Sequence, residues 1–297
     1  MFEGYEVIRD AEMSKYTTLK LGGKADWLAF PRNKEEIAGL FREAGAAGMP
    51  VTVIGHGSNL LVLDGGIRGL VIRVEKNMRE IRIEGRRITA QAGAMLGAVA
   101  AAAADAGLTG LEFASGIPGT VGGAMMMNAG AYGGEMSDVT RRVEGLYPDG
   151  SLISLSGDEM EFGYRTSAVK RLNFVVTEVE MELMPGETEK IRATMASLNA
   201  QRAEKQPLDM NSAGSTFKRP EGFYASALID QCGLKGYSIG GAEVSLKHAG
   251  FLINKDGTSE DFLRLMNHVK RIVEERAGVT LEPEIRILGE EGPEEER

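Results

Sequence analysis

Two glycine-rich segments of the 297-residue chain have the composition of phosphate-binding loops. The first, VIGHGSNLL, places Gly55 and Gly57 directly after a short apolar run, and Ser58 and Asn59 follow them. Glycines let a backbone approach a phosphate closely, and consecutive N–H groups with a serine hydroxyl can bind its oxygens. The segment therefore predicts a dinucleotide-type phosphate site, although an ordinary tight turn explains its glycines equally well. The third glycine and the helix of the doubly wound dinucleotide fingerprint are missing.

The second segment, SGIPGTVGGAMMMNAGAYGGE, contains seven glycines between positions 116 and 134. A backbone so rich in glycine loses much conformational entropy on ordering, so another interaction must compensate. A large planar ligand lying against the backbone would do so. A flexible surface linker is the alternative, but Ile117, Pro118 and Val121 are too apolar for one.

Charged side chains alternate with apolar ones near the end of the chain. In LEPEIRIL, the residues Glu282, Glu284 and Arg286 would share one face of a strand, while Leu281, Pro283, Ile285 and Ile287 would take the other. Two carboxylates and a guanidinium would then lie in line. A solvated strand face has the same pattern, so the spacing alone does not decide between a site and a surface.

The elements that must position these residues are predicted from periodicity and breakers. Strands mixed with single helices, without steady alternation, indicate an α+β fold. We expect domains at 1–75, 76–206 and 207–289, with a disordered acidic tail at 290–297. The predicted elements are an amphipathic segment around 33–45, strands at 51–55 and 69–74, a hairpin around Glu84 and Gly85, a helix at 94–107, an alternating pair around Asp149 and Gly150, a strand at 173–183, a helix at 187–205 ended by Pro207, a strand at 215–218, a short helix, a strand at 249–255, a helix at 259–277 capped by Thr258, and a strand at 279–288.

Composition limits the class of protein. The net charge of −9 disfavours nucleic-acid binding, and neither a membrane span nor a signal-peptide pattern is expected. Cys232 is the single cysteine, which fits a reducing, cytoplasmic location without a disulfide. His248 and His268 lack the spacing of metal ligands, so we expect no metal. We expect a monomer or a weak oligomer.

Six motifs in order, KYTTLKLGGKAD, IGHGSNLL, SGIPGTVGGAMMMNAGAYGGE, FGYRTS, SAGSTFKRP and LEPEIRILG, cover nearly the whole chain. Together they resemble the UDP-N-acetylenolpyruvoylglucosamine reductase family. The resemblance implies a two-part FAD-binding domain of the vanillyl-alcohol-oxidase (PCMH) type and a C-terminal α+β substrate-binding domain. It also implies that NADPH reduces a non-covalent FAD, which then reduces the enolpyruvyl group of a UDP-sugar in peptidoglycan precursor synthesis.

The resemblance also implies roles for single residues. Arg165 in FGYRTS would stabilise charge on the substrate carboxylate, Ser215 in SAGSTFKRP would donate the proton, and Glu284 would be the catalytic carboxylate, with Glu282 as the second choice. The residues implied to bind FAD are Ile54, Gly55, Gly57, Ser58, Asn59, Leu60, Gly116, Ile117, Pro118, Gly119, Gly122, Gly123, Ala124 and Arg286. Those implied to bind the substrate or NADPH are Tyr132, Tyr164, Lys205, Lys218, Arg219 and Lys247.

Only about fifty residues separate Arg165 from Ser215, which indicates the shorter form of the family, without its extra tyrosine-bearing loop. Two alternatives stay open. An FAD-linked oxidase of the same superfamily could attach its flavin to His56, which lies between the first two loop glycines. A nucleotide-binding regulator could keep the fold without turnover, although it would not need Ser215 and Glu284.

Overall fold

The structure, a computed structural model, describes residues 1–292. Its α-helices are Lys34–Ala46 (α1), Leu96–Asp105 (α2), Val121–Met127 (α3), Ala168–Leu172 (α4), Thr188–Lys205 (α5), Ala225–Gln231 (α6) and Ser259–Ala277 (α7). Its strands are Val7–Glu12 (β1), Lys24–Ala29 (β2), Val51–Ile54 (β3), Leu60–Val62 (β4), Ile67–Arg73 (β5), Ile81–Glu84 (β6), Arg87–Gln91 (β7), Leu108–Thr109 (β8), Gly130–Ala131 (β9), Gly134–Glu135 (β10), Thr140–Leu146 (β11), Leu152–Ser156 (β12), Val175–Glu182 (β13), Met184–Pro185 (β14), Asn211–Ser212 (β15), Ser238–Ile239 (β16), Ala242–Val244 (β17), Leu252–Asn254 (β18) and Arg286–Leu288 (β19).

The chain folds as two compact units, each built from segments that are separated in the sequence. The first unit contains residues 1–8, 28–56 and 69–202, and the second contains residues 9–27, 57–68 and the described chain from Ala203 onward. The predicted division at residues 75 and 206 into three successive domains stays a prediction.

The first unit contains a five-stranded antiparallel sheet in the order β12-β11-β13-β7-β6. Along β13, Val179 and Met181 are buried, and α3 lies against β13 and β7. The alternate residues Glu178, Glu180 and Glu182 form ion pairs with arginines of the β6–β7 hairpin, for example Glu178 with Arg82 at 2.6 Å. The alternation therefore gives the sheet one apolar face and one charged face, as expected for a half-buried sheet.

Two strand pairs of this sheet confirm the sequence predictions. The antiparallel register Glu84↔Arg87 joins β6 to β7 across a two-residue turn, and β11 and β12 pair across the turn at Asp149 and Gly150. In the same unit β3 pairs with β5 in parallel, Val51 opposite Leu70. The first glycine segment thus begins where β3 ends.

The second unit contains a four-stranded sheet in the order β15-β18-β17-β16, against which α7 packs. The buried apolar residues of α7, Phe262, Leu265, Met266, Val269 and Val273, stand at i, i+3, i+4, i+7 and i+11, the pattern of an amphipathic helix. Thr258 caps α7 as predicted, since its Oγ1 accepts from the N–H of Asp261 at 3.1 Å.

Two predicted strands of the second unit are wrong. Instead of a strand at 215–218, the structure has β15 at Asn211–Ser212 and a single bridge between Phe217 and Pro283. Instead of a strand at 279–288, only β19 forms, parallel to β4. The N–H groups of Lys218 and Glu284 donate across the two segments on either side of this bridge, and the pairing stays an isolated bridge. Ile287 is then 41% exposed and not on a continuous apolar face.

The predicted acidic tail begins with ordered backbone. The N–H of Glu290 donates to the carbonyl of Gly66 at 2.9 Å, and the N–H of Gly65 donates to the carbonyl of Glu290 at 3.0 Å. The rest of the predicted tail, 293–297, lies outside the described residues. No helix within residues 1–292 has the length and apolar character needed to cross a membrane.

Candidate active site

The first glycine loop follows β3 and turns at Gly57. Gly57 is buried and has a φ of +81°, a conformation that glycine adopts without strain. A Cβ at this position would overlap the carbonyl oxygen of Tyr16, and the carbonyl of Gly57 accepts from the N–H of Thr18 at 3.2 Å. The packing of the protein itself therefore requires the glycine, in addition to any requirement from a ligand.

The backbone donors of this loop fit an anionic ligand. Within residues 1–292, the N–H groups of Gly57 and Ser58 donate to no protein acceptor, and Gly57 is buried. Buried N–H groups are almost always satisfied, so a neighbouring set of them suits phosphate oxygens. The pyrophosphate of FAD is a ligand of this kind, and the loop fits it.

The two glycine loops meet in the first unit. A Cβ on Gly55 would overlap the Oγ1 of Thr120, which lies in the second glycine segment. Thr120 is buried and caps α3, where its Oγ1 accepts from the N–H of Gly123 at 3.4 Å. The N–H of Gly122 also donates to the carbonyl of Ala92 at 2.8 Å, which fixes the start of α3. The loops that the sequence predicted to share one ligand are therefore in contact.

Asn59 links the first loop to the end of the chain within the second unit. Its Nδ2 donates to the carbonyl of Glu284 at 3.2 Å, and its own carbonyl accepts from the N–H of Arg286 at 3.0 Å. The Asn59 amide therefore serves the backbone around Glu284. Burial lowers the pKa of the Arg286 guanidinium below its ordinary value.

Ser215 and Glu284 lie on neighbouring segments of the second unit. Ser215 directly precedes Thr216, whose carbonyl accepts from the N–H of Glu284 at 2.8 Å. Thr216 is itself fixed, because its N–H donates to the carbonyl of Gly250 at 2.9 Å and its Oγ1 accepts from the N–H of Leu252 at 3.2 Å. The structure thus pairs the segment that carries the predicted proton donor with the segment that carries the predicted carboxylate.

Glu282 has a different environment from Glu284. It is exposed and forms an ion pair with Lys218 at 3.0 Å, while the N–H of Lys218 donates to the carbonyl of Glu282 at 2.8 Å. Glu284 is half-buried. A half-buried carboxylate with fewer water contacts suits a catalytic role better than an exposed one.

Arg165 lies in the first unit, on a tight turn against the second glycine segment. Gly163 and Thr166 pair with each other, which leaves Tyr164 and Arg165 as the two turn residues. Arg165 has a φ of +57°; its Nη2 lies 3.5 Å from the carbonyl of Gly130, and its guanidinium lies 5.1 Å from the centre of the Tyr164 ring. Arg165 and Tyr164, both predicted site residues, are therefore held side by side.

The other predicted binding residues are mostly exposed and make local contacts. Arg219 stacks on Tyr224 at 3.9 Å, and the Nζ of Lys247 donates to the carbonyl of Ala203 at 2.6 Å. Tyr132 is 45% exposed, and Lys205 is exposed at the end of α5. Their roles in binding stay predictions.

One residue of the site was not singled out in the sequence. Asn128 is buried, has a φ of +40°, and ends α3 in the left-handed conformation. The signal that could have found it is an asparagine after an apolar helical run, since asparagine tolerates this conformation better than most residues.

Comparison with known proteins gives consistent results over the whole chain. Residues 206–288 match the family model of the UDP-N-acetylenolpyruvoylglucosamine reductase C-terminal domain, and residues 25–156 match an FAD binding domain. The UDP-N-acetylenolpyruvoylglucosamine reductase of Lactiplantibacillus plantarum is 49% identical over 291 residues, which cover 98% of this chain and 96% of the relative. That of Geobacillus kaustophilus is 47% identical over 286 residues, covering 96% and 94%.

The crystal structure of UDP-N-acetylenolpyruvylglucosamine reductase from Thermus caldophilus matches with a TM-score of 0.83 and 36% identity. The match covers 96% of this chain and 99% of that chain. An FAD-binding domain followed by a C-terminal domain of the reductase type, with mixed helices and strands, confirms the predicted fold class.

Proposed function

The chain belongs to the family of UDP-N-acetylenolpyruvoylglucosamine reductases, which are FAD-dependent oxidoreductases, and from this premise we propose that it uses NADPH to reduce UDP-N-acetylglucosamine enolpyruvate to UDP-N-acetylmuramate. The product would enter peptidoglycan precursor synthesis. We further propose a cytoplasmic location, which the free, buried thiol of Cys232 supports.

The observation that supports the proposal is the backbone bond between Thr216 and Glu284, which pairs the segment of Ser215 with the segment of Glu284. A serine hydroxyl is a weak acid and gives up its proton only to a strong base, such as the carbon of an enolate. It also needs a neighbour that stabilises the charge left behind. A serine next to a half-buried carboxylate suits proton donation to carbon.

The glycine loops and Arg286 would hold FAD, which when bound would supply hydride transfer. Reduction of the enolpyruvyl double bond places negative charge on the carbon next to the substrate carboxylate. The Arg165 guanidinium is always ionised and can grip that carboxylate with two parallel hydrogen bonds, which stabilises the enolate. The Oγ of Ser215 then gives its proton to the carbon, while Glu284 helps to stabilise the enol form and to orient the serine.

The cationic side chains serve the phosphates in this proposal. Lys205, Lys218, Arg219 and Lys247 would bind the UDP diphosphate and the phosphates of NADPH, and Tyr132 and Tyr164 would contact the substrate. Because the cations are mostly exposed, their side chains can exchange local partners for a phosphate at small cost.

The experiment that tests the function is the oxidation of NADPH by the purified protein, with and without UDP-N-acetylglucosamine enolpyruvate. We expect oxidation to depend on this substrate and the product to be UDP-N-acetylmuramate. Flavin content is measured on the same sample, and acid precipitation should release about one FAD per chain, in line with the backbone donors of the glycine loop.

The same sample separates the alternatives. Flavin that stays with the precipitate, together with substrate-independent oxidation by oxygen, would indicate the oxidase and a covalent bond to His56. Bound FAD without any turnover of NADPH would indicate the regulator. Either result would overturn the proposed reductase.

A further inference from the structure

The turn that carries Arg165 is tied to the end of α3 by three contacts at alternate positions. The Oγ of Ser167 donates to the carbonyl of Met126 at 3.3 Å, and the Nη2 of Arg165 lies 3.5 Å from the carbonyl of Gly130. Between them, the Nδ2 of Asn128 donates to the carbonyl of Gly163 at 3.3 Å. The side chain of Asn128 is thus the central link.

We infer that Asn128 is a positioning residue for Arg165. The inference rests on the proposed function, because it assumes that Arg165 holds the substrate carboxylate. Asn128 itself is only 1% exposed, so its amide acts through the turn and not on the substrate.

Both ends of the Asn128 amide are used. While its Nδ2 holds Gly163, its Oδ1 accepts from the N–H of Ser137 at 3.0 Å. The amide therefore bridges the Arg165 turn and the segment that follows the second glycine loop. A buried amide whose donor and acceptor both form hydrogen bonds is held in one orientation. It therefore fixes the position of the Gly163 carbonyl at the start of the turn.

The residue type follows from three simultaneous requirements. The backbone φ of +40° favours asparagine, aspartate or glycine, the carbonyl of Gly163 needs a donor, and the N–H of Ser137 needs an acceptor. Aspartate meets the first and third requirements but presents an oxygen to the Gly163 carbonyl. Glycine meets only the first. Asparagine meets all three.

The guanidinium of Arg165 stands at the end of a long side chain on a two-residue turn, so its aim depends on how firmly the turn is held. The backbone of Arg165 is also bonded by Lys170, an exposed residue whose Nζ donates to the carbonyl of Arg165 at 2.7 Å. Loss of the buried Asn128 link should shift the turn and weaken the grip on the substrate carboxylate, while the flavin loops stay in place.

The test measures the two half-reactions of the holoenzyme separately in Asn128→Asp. Bleaching of the flavin by NADPH should keep its rate, and reoxidation by the enolpyruvyl substrate should slow by about tenfold or more, the scale of a displaced catalytic group. The matched control is Asn173→Asp. Asn173 also ends a short helix, α4, in the left-handed conformation, with a φ of +51°, but its side chain is exposed. Both half-reactions should be unchanged in the control.

A double-mutant cycle decides whether the effect passes through Arg165. In Arg165→Ala, the added Asn128→Asp change should slow reoxidation no further, because the group that it positions is gone. Additive losses, or a normal reoxidation rate in Asn128→Asp alone, would overturn the inference. If Asn128→Asp does not fold, Asn128→Gly, which keeps the left-handed backbone, is read in the same way.

Failure of the inference is distinguishable from failure of the proposed function. If Arg165→Ala slows reoxidation but Asn128→Asp does not, the function stands and the positioning role falls. If Arg165→Ala reoxidises at the normal rate, Arg165 does not hold the carboxylate and the positioning role falls with it, while substrate-dependent oxidation of NADPH still decides the function.

Discussion

The N–H of Glu284 donates to the carbonyl of Thr216 at 2.8 Å. The segment that carries Ser215, the residue before Thr216, is therefore paired with the segment that carries the Glu284 carboxylate. The two residues lie 69 positions apart in the chain. The backbone bond between Thr216 and Glu284 holds the two segments together independently of the Ser215 and Glu284 side chains. Mutations of either side chain should therefore change chemistry without moving the other residue.

Ser215→Ala should separate the two half-reactions. NADPH should bleach the flavin at the normal rate, because that step needs no proton donor to the substrate. Reoxidation by the enolpyruvyl substrate should slow by about 10²-fold or more, the scale of a lost general acid. Stopped-flow absorbance of the flavin measures both rates, with Ser212→Ala of β15 as the control. Slower bleaching with normal reoxidation would assign Ser215 to the NADPH site.

Glu284→Gln should show the same pattern, because its charge is needed only after the substrate has been reduced. We expect reoxidation to slow by about 10²-fold with flavin bleaching unchanged. The control is Glu243→Gln, which removes an ion pair with Lys255 in the same unit. Glu282→Gln tests the alternative carboxylate. Slow reoxidation in Glu282→Gln, with a near-normal rate in Glu284→Gln, would assign the catalytic role to Glu282.

Gly57→Ala should destabilise the protein even when no flavin is bound. The added Cβ overlaps the Tyr16 carbonyl. The left-handed φ costs a non-glycine residue a further ~1 kcal/mol of folding free energy. The matched control is Gly48→Ala, which has a φ of +65° and no atom within 4 Å of the added Cβ, so it carries only the conformational cost. Thermal unfolding of the flavin-free proteins measures the difference. Equal melting temperatures for the two variants would show that the loop can relax around the Cβ.

The stability of the protein should fall in acid partly through His248. Burial lowers the pKa of this imidazole from 6.5, and its Nδ1 accepts from the N–H of Gly250 at 3.2 Å, which requires the unprotonated nitrogen. The unfolded state then binds more protons below pH 6.5, so the free energy of unfolding is highest above that pH and decreases as the pH falls through it. One histidine contributes at most about 1.4 kcal/mol per pH unit.

His248→Asn, which keeps an acceptor near Gly250, should flatten this part of the profile. Urea unfolding at a series of pH values measures the slope, and a variant whose slope equals that of the unchanged protein would show that other groups cause the acid sensitivity.

Local patterns in the sequence predicted the elements that depend on local chemistry. Alternation predicted the hairpin at Glu84, and Thr258 predicted the start of α7. These features depend on neighbours within a few positions. The contact of the two glycine loops could be inferred only from the resemblance to a family.

Contacts between distant segments could not be predicted. The alternation in LEPEIRIL suggested one long strand, but Pro283 forms only an isolated bridge with Phe217, and Arg286 pairs instead with Leu60 of β4. The role of Asn128 depends on Gly163, which lies 35 positions away. Periodicity carries no information on such partners.

The second unit is built from segments that lie far apart in the sequence, and this has a consequence for synthesis on the ribosome. When residue 202 has emerged, every segment of the first unit is available, but the second unit has only residues 9–27 and 57–68. Leu19, Leu21, Leu61 and Leu63, which become buried in its core, must wait for the last third of the chain, and β4 waits for β19. The nascent protein therefore carries apolar segments that only its final residues can cover, which makes this interval the one in which a chaperone would matter most.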